Sequence, residues 1–421
     1  MTKRLILAFV FLSWHLVACS NGDSGISSGL PDKPSAEEDS PGTETISEEM
    51  RVKITGEDLY ISAKLDAKTD ILYWFKKCMF NELFTFYRVG TIDNNMPAPV
   101  TLPDASPTSL LNLAYSDNIG PFNITGYGWC GGNHPYLDEV TQTARNIGYR
   151  IYIDGKEIKT DLSTLTKEIK IEVINEIMNP SKADTSSGKT LLNEILCIET
   201  VNYSIYRNNI QVLVTHEFQN ESPVTVQMYY GMQSMFDKET HTLTANGKYV
   251  DWTVQKDVST FTKKEYPSFR RFIEKSANAY QSSYLFADGL GNHEEISDDD
   301  IIFIGNSSNN RNQQNSYHQP DREHKKGDII HWSGVYTWFK SPVSDDDDLL
   351  CYEGVIDNKK VLFIDCKKSV DRTIQLPVNY TKKSFTIIEK SKSITITGNK
   401  VTAKGLKIVS DGSGSCVITF D

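Results

Sequence analysis

Several signatures of familiar chemistry are missing from this chain. None of its seven cysteines stands in a CxxC pair and no HExxH occurs, while His318, His324 and His331, with Asp321, Glu323 and Asp328 among them, follow no recognised zinc spacing. No metal is expected. Asp298-Asp299-Asp300 and Asp345 to Asp348 lack the glycine and terminal glutamate of a calcium loop, so they read as solvated acidic loops. Nothing alternates as a βαβ repeat, and no cofactor is expected. Gly412-Ser413-Gly414 reads as turn material rather than as a nucleophile site. An excess of positive charge is missing too: 55 acidic residues oppose 44 basic ones, and a net charge of −11 argues against nucleic acid as a partner. Helical periodicity is scarce, with short candidates only near Ser268 to Ala279 and Thr185 to Glu194.

What is present is a large apolar and aromatic mass. The 421 residues are 39% hydrophobic and include 20 Tyr, 18 Phe and 6 Trp, enough for the cores of two or three domains. Lys3 and Arg4 precede an apolar run from Leu5 to Val17, shorter than the roughly 20 residues of a bilayer span. It ends in Leu16-Val17-Ala18-Cys19, which resembles the lipobox of bacterial lipoproteins. That resemblance implies removal of residues 1–18, acylation of Cys19 and, with Ser20 following, sorting to the outer membrane, on its periplasmic or cell-surface side. The alternative is an ordinary secretory leader. Loss of Lys3 and Arg4 would take the net charge from −11 to −13. Residues 19–50, rich in Ser, Gly, Asp, Glu, Pro and Thr, cannot bury enough surface to order themselves and read as a tether. The membrane is expected to be a partner through the lipid anchor only.

Six cysteines remain beyond Cys19. Buried thiols are expected, and Cys351 and Cys366 are the pair best placed for a bridge if one forms.

Residues 51–340 carry a two-residue rhythm. Tyr149 to Lys156 and Glu168 to Asn175 alternate, and Ile198 to Tyr206, Ile210 to Phe218 and Val224 to Met232 follow as a meander turned at Arg207-Asn208-Asn209. Proline and the carboxylates of 341–348 interrupt the pattern. Residues 346–421 then hold short strands spaced as in a small sandwich. So many strands exceed what one open sheet accommodates, and an all-β chain is expected: a large antiparallel sandwich followed by a small C-terminal one. Domain size, strand character and order resemble the supersandwich group of galactose-mutarotase-like domains and polysaccharide lyases. The resemblance implies a role in carbohydrate recognition or breakdown.

The most unusual segment runs from Gly120 to Tyr136. Its glycines permit sharp turns, Tyr127, Trp129 and Tyr136 supply flat apolar faces, and Asn133 and His134 supply polar atoms, the mixture a pyranose needs. Arg145, just beyond it, offers a fork for a uronate carboxylate; Arg270, Arg271 and Arg322 are weaker candidates for the same task. The alternative is a tight loop whose rings close the core. In a second segment, alternation places His216 and Phe218 on one face, away from Thr215 and Glu217. If His216 meets Tyr229 or Tyr230 at a cleft, base and phenolic acid would suit uronate β-elimination by a lyase, or a glycoside hydrolase; otherwise His216 is structural. Three functions follow: a surface carbohydrate binder, a polysaccharide lyase or hydrolase, or a structural or protein-binding lipoprotein. The binding reading expects Trp129, His134 and His216 in one open concavity.

Overall fold

The computed structural model describes residues 46–102, 109–112, 121–237, 241–251, 259–266, 270–277, 279–291, 301–306 and 312–420, without side chains at 86, 109–112, 235–237, 259, 287–291, 301–306 and 312–320. The leader, Cys19, most of the tether and Asp298 to Asp300 lie outside the described residues. The chain is all-β. Among the described residues the helical pieces are two single 3-10 turns, Pro180–Lys182 and Val378–Tyr380.

A ten-stranded antiparallel sheet forms the middle, with Ile169–Met178, Ile195–Tyr206, Asn209–Phe218 and Ile329–Phe339 as consecutive neighbours moving away from one edge. Alternation builds it. Ile210, Val212, Val214, His216 and Phe218 are buried on one face, and the register sets them across from Ile205, Tyr203, Val201, Glu199 and Cys197. Two six-stranded sheets share that core. The first, from Met50–Thr55 through Leu83–Asp93, packs Phe75 on Tyr203 and Tyr73 on Trp338. The second contains Phe122–Ile124, Gly128–Cys130 and Val224–Asp237, and it sets Phe122 and Tyr229 against His216.

The opposite face of the middle sheet carries Val335 and Phe339, and there the C-terminal sheets dock. These sheets, one of five strands and one of three, have a core of their own around Leu349, Leu362, Ile364 and Ile408. A row of four near-parallel rings runs through the junction, with Tyr280 on Phe339 at 4.8 Å on one side, Tyr352 on Phe363 at 5.0 Å on the other, and Phe339 on Tyr352 at 4.2 Å joining them. Arg271 reaches across as well, its Nε donating to Asp365 Oδ1 at 2.7 Å.

Three expectations need correction. Residues 271–275 form a strand, not part of a helix, because Phe272 and Ile273 pack on opposite sides of it and even Arg271 and Glu274 are buried. Residues 185–194 hold a turn closed by a bridge between Asp184 and Leu191. Asp345, Asp346 and Asp348 are engaged rather than merely solvated: Asp345 accepts from Lys275 and Lys367 at 2.8 and 2.9 Å, Asp346 pairs with Arg372, and Asp348 with Lys368. Cys351 lies opposite Ile364, and Cys366 opposite Leu349. Both are buried free thiols, as are Cys78, Cys130, Cys197 and Cys416.

Candidate functional site

Phe122–Ile124 and Gly128–Cys130 form a hairpin that pairs Asn123 with Trp129 and is continued by the strand Val224–Asp237. The chain then turns through Gly131 and Gly132, both left-handed at φ 79° and 55°, where a side chain would be strained. Asn81 fixes this turn. Its Nδ2 donates to the Gly132 oxygen at 2.7 Å, its Oδ1 accepts from Thr143 N at 3.1 Å, and Phe80 N donates to the Asn133 oxygen.

Outside this buttress four aromatic groups gather. Trp129 stacks on Tyr136 with centroids 6.1 Å apart, leans on Tyr230 at 5.1 Å, and His134 meets the edge of Tyr136 at 5.6 Å. All four are half-buried, and Tyr127 beside them in sequence is 54% exposed. Burial pushes the Tyr230 hydroxyl up to about 12, so it stays a donor.

Asn133 and Arg145 do not present themselves as expected. Asn133 is 2% exposed and its main-chain oxygen joins the buttress, while Arg145, its side chain 58% exposed, pairs with Glu176. Arg270 and Arg271 are likewise paired, with Glu389 and Asp365.

His216 also departs from the expected open concavity. It is 0% exposed, and so is Glu199. The imidazole Nε2 is hydrogen-bonded to Glu199 Oε2 at 2.8 Å and its Nδ1 to the Tyr229 hydroxyl at 3.3 Å, so both ring nitrogens are satisfied inside the core. Asn175 Nδ2 donates to the other Glu199 oxygen at 2.7 Å, and Asn146 to Asn175 at 2.9 Å. Burial, with Glu199 and Cys197 alongside, holds the Tyr229 hydroxyl well above its ordinary value. His216, Glu199 and Tyr229 thus form a polar chain inside the core, while Trp129 and His134 lie at the surface.

Tyr229 and Tyr230 part company because of one extra residue. Val226 faces Ile124, yet Met228 faces Asn123, so the strand bulges at Gln227 relative to the hairpin. The bulge changes phase. Val224 and Val226 point inward, then Tyr229 does, and Tyr230 turns out toward Trp129.

Two nucleotide-like spacings dissolve in the fold. Gly126, Gly128 and Gly131 fall as GxGxxG but lie on a hairpin with no helix after them, and Ala183 to Thr190, spaced as a phosphate loop, form an exposed turn without a helix N-terminus. Among the described residues no group of three His, Cys, Asp or Glu side chains converges to hold a metal.

A second aromatic surface was not anticipated. On the first six-stranded sheet Tyr60 stacks on Trp74 at 5.3 Å, Tyr87 meets Trp74 edge-on at 5.0 Å, and Lys76 lies over both Trp74 and Tyr87. The alternation of Tyr60 and Trp74 in their strands was the available signal. A cleft of about 340 Å³, lined in part by Tyr206, Arg207, Lys360 and Tyr380, lies elsewhere; Glu48 spans it between Arg207 and Lys360.

No family model matches the chain, and no curated protein does. Among solved structures it is distantly similar to the galactosidase domain of an alpha-galactosidase-sucrose kinase, at 8% identity and a TM-score of 0.37, over 66% of this chain and 40% of that one. It is similar to a GH36 alpha-galactosidase from Geobacillus stearothermophilus at 9% and 0.36, over 70% and 41%. It is similar to a galactose mutarotase-like protein from Clostridium acetobutylicum at 9% and 0.31, over 69% and 97%. The chain spans about two fifths of the length of the two galactosidase chains. The likeness is one of β architecture and assigns no residue a role.

Proposed function

We propose that this protein binds carbohydrate at the Trp129 platform and is held at the outer membrane by lipid on Cys19. The observation that supports the binding reading is the half-exposed cluster of Trp129, Tyr136 and Tyr230, built on a buttressed hairpin. Its rings are held by one another and by the backbone beneath them, so little ordering entropy is lost when a sugar face stacks there. His134 and the Tyr230 hydroxyl supply polar atoms for sugar hydroxyls. Burial of His216 and Tyr229 removes the strongest support for a lyase or hydrolase, since general acid–base work needs contact with the reacting group.

Replacing Trp129 by Ala is expected to weaken glycan binding by about 2 kcal/mol or more, as removal of a stacking anchor does. Calorimetry of wild type and variant against the best glycan from an array measures this. A folded variant with unchanged affinity refutes the platform. Detergent partitioning of the full chain tests the anchor, and recovery wholly in the aqueous phase refutes it.

A further inference from the structure

An amine, a carboxylate and a carboxamide meet inside the first six-stranded sheet. Lys64 ends the strand Asp58–Lys64 and lies directly across from Asp70 in the next strand. Their side chains are 1% and 0% exposed, and Asn94, just past the strand Leu83–Asp93, is 7% exposed. Lys64 Nζ is 2.9 Å from Asp70 Oδ1 and donates to the main-chain oxygen of Asn94 at 2.6 Å. Asn94 Nδ2 donates to Asp70 Oδ2 at 2.7 Å. The amine and the amide nitrogen are therefore held on the two oxygens of one carboxylate.

The surroundings polarise this arrangement. Met96 N donates to Asn94 Oδ1 at 2.9 Å, which draws electron density from Cγ and faces the charge that an attack there would develop. The Ala98 oxygen accepts from Nδ2 at 2.9 Å and fixes the plane of the amide. Val100 N donates to Asp70 Oδ2 at 2.8 Å, whereas Oδ1 has the amine beside it and no hydrogen bond of its own. A buried lysine–aspartate pair is by itself a weak source of stability, because desolvation offsets attraction. A nucleophile, a proton carrier and a polarised carbonyl packed together out of water are a reactive set.

We propose that Lys64 and Asn94 become joined by an intramolecular isopeptide bond that the folded chain forms itself, with Asp70 carrying the proton. With that proton on Asp70, the Lys64 amine attacks Asn94 Cγ and the Nζ–Cγ bond forms. The Cγ–Nδ2 bond breaks, Nδ2 leaves as ammonia with a proton from Asp70, and Asp70 regains one from Nζ. Nothing is oxidised or reduced, and no co-reactant is consumed. The linkage fastens the second strand of this sheet to the end of the fourth, across the third, and closes a loop of about 30 residues that restricts the unfolded chain.

Mass spectrometry of a tryptic digest of the denatured full chain tests this. The expected result is no free peptide of residues 54–64, because trypsin does not cut after an acylated lysine, and a branched species joining Lys64 to the Asn94 peptide, lighter by one ammonia. Asp70→Asn is expected to restore the free peptide ending at Lys64 while leaving the β-sheet circular dichroism in place. Free peptide 54–64 together with unmodified Asn94 in the wild-type digest overturns the proposal, whether or not the variant folds. Loss of one water with Lys64 joined to Asp70 overturns the assignment to Asn94, and a linkage that persists in Asp70→Asn overturns the role given to Asp70.

Discussion

Arg271 is the residue whose loss is felt most directly at the junction between the main body and the C-terminal sheets. It is 4% exposed, its Nε donates to Asp365 Oδ1 at 2.7 Å, its Nη2 donates to the Ile364 oxygen at 3.0 Å, and its guanidinium lies 5.6 and 5.3 Å from the ring centroids of Tyr284 and Phe363. Arg271→Met keeps most of the packing volume but leaves Asp365, 9% exposed, as a carboxylate without its cation. Breaking a buried pair from one side costs about 3–5 kcal/mol. With a urea m-value of about 3 kcal/mol/M, the midpoint should fall by about 1 to 1.7 M. The double replacement Arg271→Met with Asp365→Leu removes both charges and is expected to recover most of that loss, because apolar substitutes for a whole buried pair are often neutral. Equilibrium unfolding followed by tryptophan fluorescence reads both. A single variant that unfolds within about 0.3 M of wild type, or a double variant no better than the single, refutes this account of the junction.

Two further outcomes are expected. Burial alone would raise the Asp345 carboxyl, but hydrogen bonds from Lys275, Tyr280 and Lys367 outweigh it and carry the group from 3.8 to about 2. Its stabilising contribution is therefore present above pH 3.8 and lost as pH falls toward about 2; the Tm difference between wild type and Asp345→Asn should shrink over that window, and a constant difference would contradict the pairing. His216→Phe removes one of the two side-chain partners of buried Glu199 and should destabilise by about 1–3 kcal/mol, measured by urea unfolding, with glycan affinity unchanged in the folded variant. Loss of that affinity without loss of stability would return His216 to the binding site.

The main strands were legible because their burial is one-sided. Ile169, Ile171 and Val173 are buried while Lys170 is exposed, so the period of two stands out in the residues themselves. The turn at Arg207 and Asn208 was legible by composition, and Arg207 adopts the left-handed backbone such a turn uses. Phe272, Ile273 and the neighbouring charges mimicked a helical stripe because this strand is covered on both sides and shows no alternation. Long-range pairing was hidden as well: the cations that meet Asp345 lie at 275 and 367, and nothing local announces them. At the candidate site, Trp129 and Tyr136 stood out in sequence by their glycine-rich setting, and the fold brings their rings into contact. The bulge at Gln227, which decides that Tyr229 goes inward and Tyr230 outward, exists only in the pairing of two strands and has no mark in either one.

The rings of Tyr280, Phe339, Tyr352 and Phe363 lie nearly parallel across the junction, and this alignment resists swivelling as well as separation. Rotating one block of sheets on the other would shear the Phe339–Tyr352 stack, worth about 0.5–1.5 kcal/mol beyond its buried area, and would draw Arg271 away from Asp365 before any compensating contact formed. Residues 341–348 are thus a splice rather than a hinge, and a force applied to either block is transmitted to the other without a pivot.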